Sequence, residues 1–120
     1  MIPQIKIFSA AFLMMFSTTF FQTKNDIVGK WQDEKEPTKQ LEIYLAKDGL
    51  YYGKLISTGK TILNSVTYND TKKSFIGIMT PPEFNTTVNA TITFENKNKL
   101  KLIGKKFIMS KTIYFVRIKN

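Results

Sequence analysis

The decade "KDGLYYGKLI" (residues 47–56) sets a turn dipeptide, two tyrosines and an adjacent Gly53–Lys54 pair in a run that otherwise alternates like a strand. With the preceding "QLEIYLA" (40–46) it reads as a β-hairpin, and the length of its loop decides which side chains face the core. A two-residue loop at Asp48-Gly49 sets Leu45 opposite Tyr52 and Ile43 opposite Lys54, placing an ammonium among Leu41, Ile43 and Leu45. A three-residue loop, Lys47-Asp48-Gly49, with Gly49 left-handed at a bulge, pairs Glu42 with Lys54 and Tyr44 with Tyr52 on one face. Its other face then holds Leu41 with Leu55, Ile43 with Gly53 and Leu45 with Tyr51. A favourable cross-strand pair is worth about 0.2–1 kcal/mol, whereas an unpaired buried ion costs considerably more. Desolvation therefore selects the three-residue loop. In that register Lys54 is an outward ion-pair partner, and Gly53 is an inward gap opposite Ile43 with room for a bulky neighbour or a ligand.

The stretch "TFENKNKLKL" (93–102) obeys the same logic. A three-residue loop, Asn96-Lys97-Asn98, puts Asn98, a residue tolerant of positive φ, at the bulge. Glu95 then faces Lys99, Phe94 faces Leu100, Thr93 faces Lys101 and Ile92 faces Leu102. Working outward, the chain beyond residue 23 has no helical period and no internal repeat, while short alternating runs recur between Gly, Asn, Asp and Pro signals. The runs are 27–32, 40–46, 50–57, 61–68, 74–80, 87–95, 99–104 and 111–118. Pro37 lies in a charged connector, and Pro81-Pro82 ends a strand because proline gives no donor to a ladder. The expected fold is all-β: a small antiparallel up-and-down β-barrel of about eight strands. No linker divides residues 24–120, so one domain is expected.

The chain has 120 residues, 42% of them hydrophobic. Its start, "MIPQIKIFSAAFLMMFSTTFFQTKND", places one cation before an uncharged, mostly apolar run and then a polar segment, the order of a secretory signal peptide. A membrane-spanning helix wants about 20 apolar residues, more than the run holds, so residues 1–23 are expected to be a signal peptide and the protein periplasmic or secreted. There is no cysteine, so the exported domain has no disulfide and is held by burial alone. The formal charge is +9, with clusters at Lys97, Lys99, Lys101 and at Lys105, Lys106, Lys111. That balance favours anionic surfaces such as phospholipid headgroups or envelope polymers. Export makes nucleic acid an unexpected partner. Nothing in the sequence specifies an oligomeric state.

The absence of histidine and cysteine removes thiol nucleophiles, histidine bases and the common zinc sites. Hydrolysis by two carboxylates is the remaining enzymatic option, but most of the acids read as loop residues, and Glu42 and Glu95 as outward pairs. The stretch "TGKT" (58–61) lacks the upstream glycine of a phosphate-binding loop, where Lys54 stands instead. A non-enzymatic protein without cofactor or metal is expected. A more informative pair joins the ends of the domain: "GKW" (29–31) on the first strand and "YFVRI" (114–118) on the last. In a closed barrel these strands are neighbours, so the Arg117 guanidinium can stack on the Trp31 indole for about 0.5–2 kcal/mol and plug one end. Phe115 points the same way as Arg117 because strand side chains repeat every second residue.

The Gly29-x-Trp31 start with a late Arg117 resembles the lipocalin and calycin barrels. The runs "IVGKW", "LEIYLAKDGLYYGKLI" and "KLKLIGKKFIMSKTIYFVRI" are similar to the small exported bacterial proteins of domain-of-unknown-function family 2147, over about residues 27–57 and 87–118. The resemblance implies a lipocalin-like barrel outside the cytoplasm and no agreed biochemical activity. Two departures stand out: Phe115 replaces a tryptophan that usually precedes the late arginine by two residues, and "GIMTPPEFNTT" (77–87) replaces a longer insertion. If that insertion shapes a binding mouth, the mouth here is reduced.

The leading functional expectation is a barrel that binds an apolar or amphipathic small molecule. Its walls would include Leu41, Ile43, Leu45, Tyr51, Leu55, Ile92, Phe94, Leu100 and Leu102, and its candidate binding residues are Trp31, Ile43, Tyr51, Gly53, Phe94, Phe115 and Arg117. The same side chains would serve equally as solid core. The alternative is a cell-envelope interaction module whose basic face meets anionic lipid or polymer.

Overall fold

The computed structural model describes residues 23–83 and 86–119. The leader expected at 1–23 lies outside the described residues apart from Thr23. A single 3-10 turn, Lys24–Ile27, precedes eight strands: β1 Gly29–Asp33, β2 Gln40–Leu45, β3 Tyr51–Leu55, β4 Thr61–Asn69, β5 Ser74–Met79, β6 Val88–Asn96, β7 Lys99–Lys106 and β8 Met109–Arg117. Each strand pairs antiparallel with the next and β8 returns to β1, closing the barrel. The expected all-β, eight-stranded up-and-down barrel is the observed fold.

The β2–β3 register is the one selected by desolvation: Leu41 pairs with Leu55, Glu42 with Lys54, Ile43 with Gly53, Tyr44 with Tyr52 and Leu45 with Tyr51. Gly49 has φ +85°, and its N–H donates to Ala46 O at 3.0 Å while Ala46 N–H donates to Leu50 O at 2.9 Å. Lys54 Nζ lies outside the barrel, 4.0 Å from Glu42 Oε1. Asp48 also bonds within this hairpin, accepting the Tyr52 hydroxyl at 2.6 Å. That bond lowers the Asp48 pKa and raises that of Tyr52.

Three local expectations need correction. In the β6–β7 hairpin the interior pairs Phe94–Leu100, Thr93–Lys101 and Ile92–Leu102 stand, but Lys99 pairs with Asn96 rather than Glu95, across a register shift between Phe94 and Asn96. Asn98 is not among the residues with positive φ; its N–H bonds to the Asn96 side chain at 2.8 Å, so a local side-chain turn replaces the left-handed residue. Lys99, released from Glu95, pairs with Glu34 at 3.0 Å. Ile27, expected to open the first strand, instead closes the 3-10 turn Lys24–Ile27, and β1 begins at Gly29. Leu45 keeps inward parity but is 48% exposed at the barrel's end.

Most inward positions are apolar: Trp31, Leu41, Ile43, Tyr51, Leu63, Phe75, Ile92, Leu100 and Leu102 are all buried. Outward positions include Lys30, Glu42, Lys54, Thr91, Thr93 and Lys101. This polar-out, apolar-in order is opposite to that of a membrane-spanning barrel.

Candidate functional site

The strand directions give the barrel two unlike ends. At one lie the start of β1 and the β2–β3, β4–β5 and β6–β7 turns; at the other lie residues 34–39, 56–60, 80–83, 86–87 and the β7–β8 turn.

The first end is plugged. Trp31 and Arg117 are cross-strand partners, with the Arg117 Cζ 4.2 Å from the Trp31 ring centroid. Trp31 is completely buried, and its Nε1–H donates to Ile27 O at 3.0 Å. Arg117 Nη2 donates to Asp26 O at 2.7 Å and to Lys97 O at 3.2 Å. Tyr51 closes the third side by donating to Asn25 Oδ1 at 2.6 Å; burial raises the pKa of that phenol. A four-residue 3-10 turn has little stability alone. Here side chains from β1, β3 and β8 hold it, and its own fully buried Ile27 seals the end.

Above the plug an edge-on aromatic chain fills the interior. Trp31 meets Phe94 at 6.4 Å between centroids, Phe94 meets Phe75 at 6.2 Å, and Phe75 meets Tyr51 at 5.7 Å and Tyr68 at 4.9 Å. The gap at Gly53 is filled as well: a Cβ there would lie 3.0 Å from Leu63 Cδ1 and 3.3 Å from Leu41 Cδ1. The bulky-neighbour alternative thus describes this position. Among the described residues no buried side-chain nitrogen or oxygen lacks a partner.

The opposite end holds a cavity of about 600 Å³. Leu41, Ile62, Met79, Leu102 and Phe115, all buried, line it together with the partly exposed Leu55, Val88 and Ile113. Gly104 and Val88 sit on one side, close enough that a Cβ on Gly104 would lie 3.3 Å from Val88 Cγ2. Of the seven candidate binding residues, Phe115 lines this cavity; Trp31, Ile43, Tyr51, Gly53, Phe94 and Arg117 are not among its lining residues. Leu41, Leu55 and Leu102 are the expected wall residues that reach it. Most inward residues of the β2–β3 and β6–β7 hairpins, among them Ile43, Tyr51, Gly53, Ile92, Phe94 and Leu100, lie outside the cavity lining. Counting inward parity back from Arg117 would have marked Ile113 and Lys111, and Gly104 is the small inward residue on the neighbouring strand.

The rim is charged, and most of its acids are engaged. Lys39 Nζ lies 3.0 Å from Glu36 and 3.1 Å from Glu83, linking two loops across the mouth. These bonds raise the Lys39 pKa, and the Lys39 contact lowers that of Glu83. Asp33 Oδ1 accepts the N–H groups of Lys35 at 2.8 Å and Glu36 at 3.1 Å, while Glu34 holds Lys99. Lys106 donates to the Thr86 hydroxyl. Lys111 has inward parity on β8 and lines the cavity, with no ion pair of its own among the described residues. No group of three or more His, Cys, Asp or Glu residues among those described could hold a metal ion.

Comparison of the chain with protein-family models, with curated proteins and with solved structures returns no match in any of the three.

Proposed function

We propose that the protein is an exported, non-enzymatic binding barrel that takes one amphipathic small molecule into the open end. The observation that carries this reading is the cavity of about 600 Å³, apolar within and charged at its rim, opposite a sealed end. Its size falls in the range of about 300–1,000 Å³ usual for small-molecule sites, and an eight-stranded barrel is wide enough for one small ligand. An acyl tail would lie against Leu102, Ile113 and Phe115, with an acidic head beside Lys111. The leader-like residues 1–23 support export, and the resemblance to domain-of-unknown-function family 2147 supports the same location. Trp31 and Arg117 serve as the structural plug.

The test is calorimetric titration with hexadecanoic acid and hexadecanol, alongside native mass spectrometry of protein purified from its own compartment. One ligand per chain is expected. Ile113→Trp, which fills the cavity, should abolish binding without altering the far-ultraviolet spectrum. Lys111→Gln should weaken the acid and leave the alcohol unchanged, and binding of the uncharged alcohol should be insensitive to salt. A folded wild-type chain that neither retains nor binds such a molecule, or an Ile113→Trp chain that binds it equally well, overturns the proposal.

A further inference from the structure

β7 and β8 stay paired beyond the cavity out to Lys106 and Met109, so their connection projects from the open end. The connection is apolar: Phe107, Ile108 and Met109 are 86%, 97% and 75% exposed. Phe107 has φ +56°, a conformation uncommon for a bulky residue. Five of the seven exposed large apolar side chains among the described residues, Ile56, Ile78, Phe107, Ile108 and Met109, lie toward the mouth. A cluster of this kind marks a contact surface.

Charge identifies the contact. From Lys99 to Arg117 the sequence carries six cations and no carboxylate. Lys105, Lys106 and Lys111 stand one or two strand residues behind the apex, about 3–7 Å at the strand rise. An apolar apex with cations set just behind it matches the layering of an anionic bilayer, whose acyl region begins beneath its phosphates; interfacial segments enter to about 5–10 Å. The polar outer wall limits insertion to the tip. A second copy of the chain is a poorer match, because three side chains fall short of the roughly 800 Å² per partner of a stable interface.

We infer that the Phe107–Met109 tip docks the barrel on an anionic phospholipid surface, with Lys105, Lys106 and Lys111 at the headgroups and the cavity mouth toward the lipid. This contact does not depend on the cavity holding a ligand.

The full chain carrying Ile108→Trp is mixed with phosphatidylcholine vesicles containing or lacking phosphatidylglycerol, with bromine on the acyl chains. The new indole should shift to the blue and be quenched on the anionic vesicles, whereas buried Trp31 should not respond. In sedimentation with the same vesicles, Lys105→Gln, Lys106→Gln and Lys111→Gln together should weaken binding about 100-fold relative to wild type. Replacing Phe107, Ile108 and Met109 by serine should also weaken it. The N-terminal apolar run is common to every variant and drops out of these differences. Emission from the introduced indole that stays water-exposed on anionic vesicles, or is quenched equally on neutral ones, overturns the inference. So does lipid-free dimerisation that buries the tip, or binding of anionic polymers with no entry into acyl chains. Loss of hexadecanoic acid binding with tip insertion intact overturns the cavity reading alone.

Discussion

Replacing Trp31 tests the closure of the barrel directly. The indole is fully buried and touches three partners: Ile27 O, the Arg117 guanidinium and Phe94. Truncating a buried Trp to Ala costs about 3–5 kcal/mol. The lost bond to Ile27 O adds about 1 kcal/mol, and the lost stack beneath Arg117 about 0.5–2 kcal/mol. The sum, roughly 4.5–8 kcal/mol, is comparable with the lower part of the 5–15 kcal/mol usual for a domain. Trp31→Ala is therefore expected at or below the folding threshold. The quantitative test is Trp31→Phe, which keeps a ring over Phe94 but loses the donor, with an expected cost of about 2 kcal/mol. Urea unfolding followed by far-ultraviolet circular dichroism, at an m-value of about 1–3 kcal/mol/M, should show a midpoint lower by roughly 0.7–2 M. Arg117→Met should cost about 2–3 kcal/mol, because the carbonyls of Asp26 and Lys97 lose a charged donor. The double variant should cost less than the sum of the two singles. A Trp31→Ala chain with an unchanged unfolding midpoint would refute the plug.

Two further perturbations test the interior and the rim. A Cβ on Gly53 would lie 3.0 Å from Leu63 Cδ1 and 3.1 Å from Leu63 Cβ, both side-chain atoms, whereas one on Gly77 would lie 2.6 Å from Val66 Cγ2 and 3.0 Å from both the backbone oxygen of Asn64 and Val66 Cα. Gly53→Ala should therefore destabilise by about 1–3 kcal/mol and Gly77→Ala by more, since side chains yield and backbone does not; equal denaturation midpoints for the two would contradict this packing. At the rim, Glu83 has a folded pKa below its ordinary value because of Lys39. The stability from that contact is present above the ordinary glutamate pKa and lost as pH falls through the lower folded value. The melting difference between wild type and Glu83→Gln should be small, favour wild type near neutrality and shrink on acidification. A difference that grows in acid would invert the assignment.

Much of the barrel was legible before any coordinates. Alternation gave the eight runs, and the cost of burying Lys54 chose one register over another that differs by a single residue. The pairing of Trp31 with Arg117 followed because closing a meander makes its terminal strands neighbours. Local chemistry was less legible at the β6–β7 turn, where Asn98 has two ways to satisfy a turn and the side-chain bond to Asn96 wins. It was least legible at the β7–β8 turn, where Phe107 takes a positive φ although no glycine or asparagine marks the position.

The functional end was hidden for a different reason. Parity along a strand says that Ile43, Tyr51, Phe94, Leu102 and Ile113 all point inward, but not which of them meet each other. The stagger of eight strands and the bulges in β4 bring the aromatic side chains together at the plugged half. They leave mainly aliphatic and glycine positions, with Phe115, to line the other. Sequence alone determined the inside and outside of this barrel, because desolvation acts residue by residue. Which half is solid and which is hollow depends on how side-chain volumes from distant strands add up at one level, a sum that exists only in three dimensions.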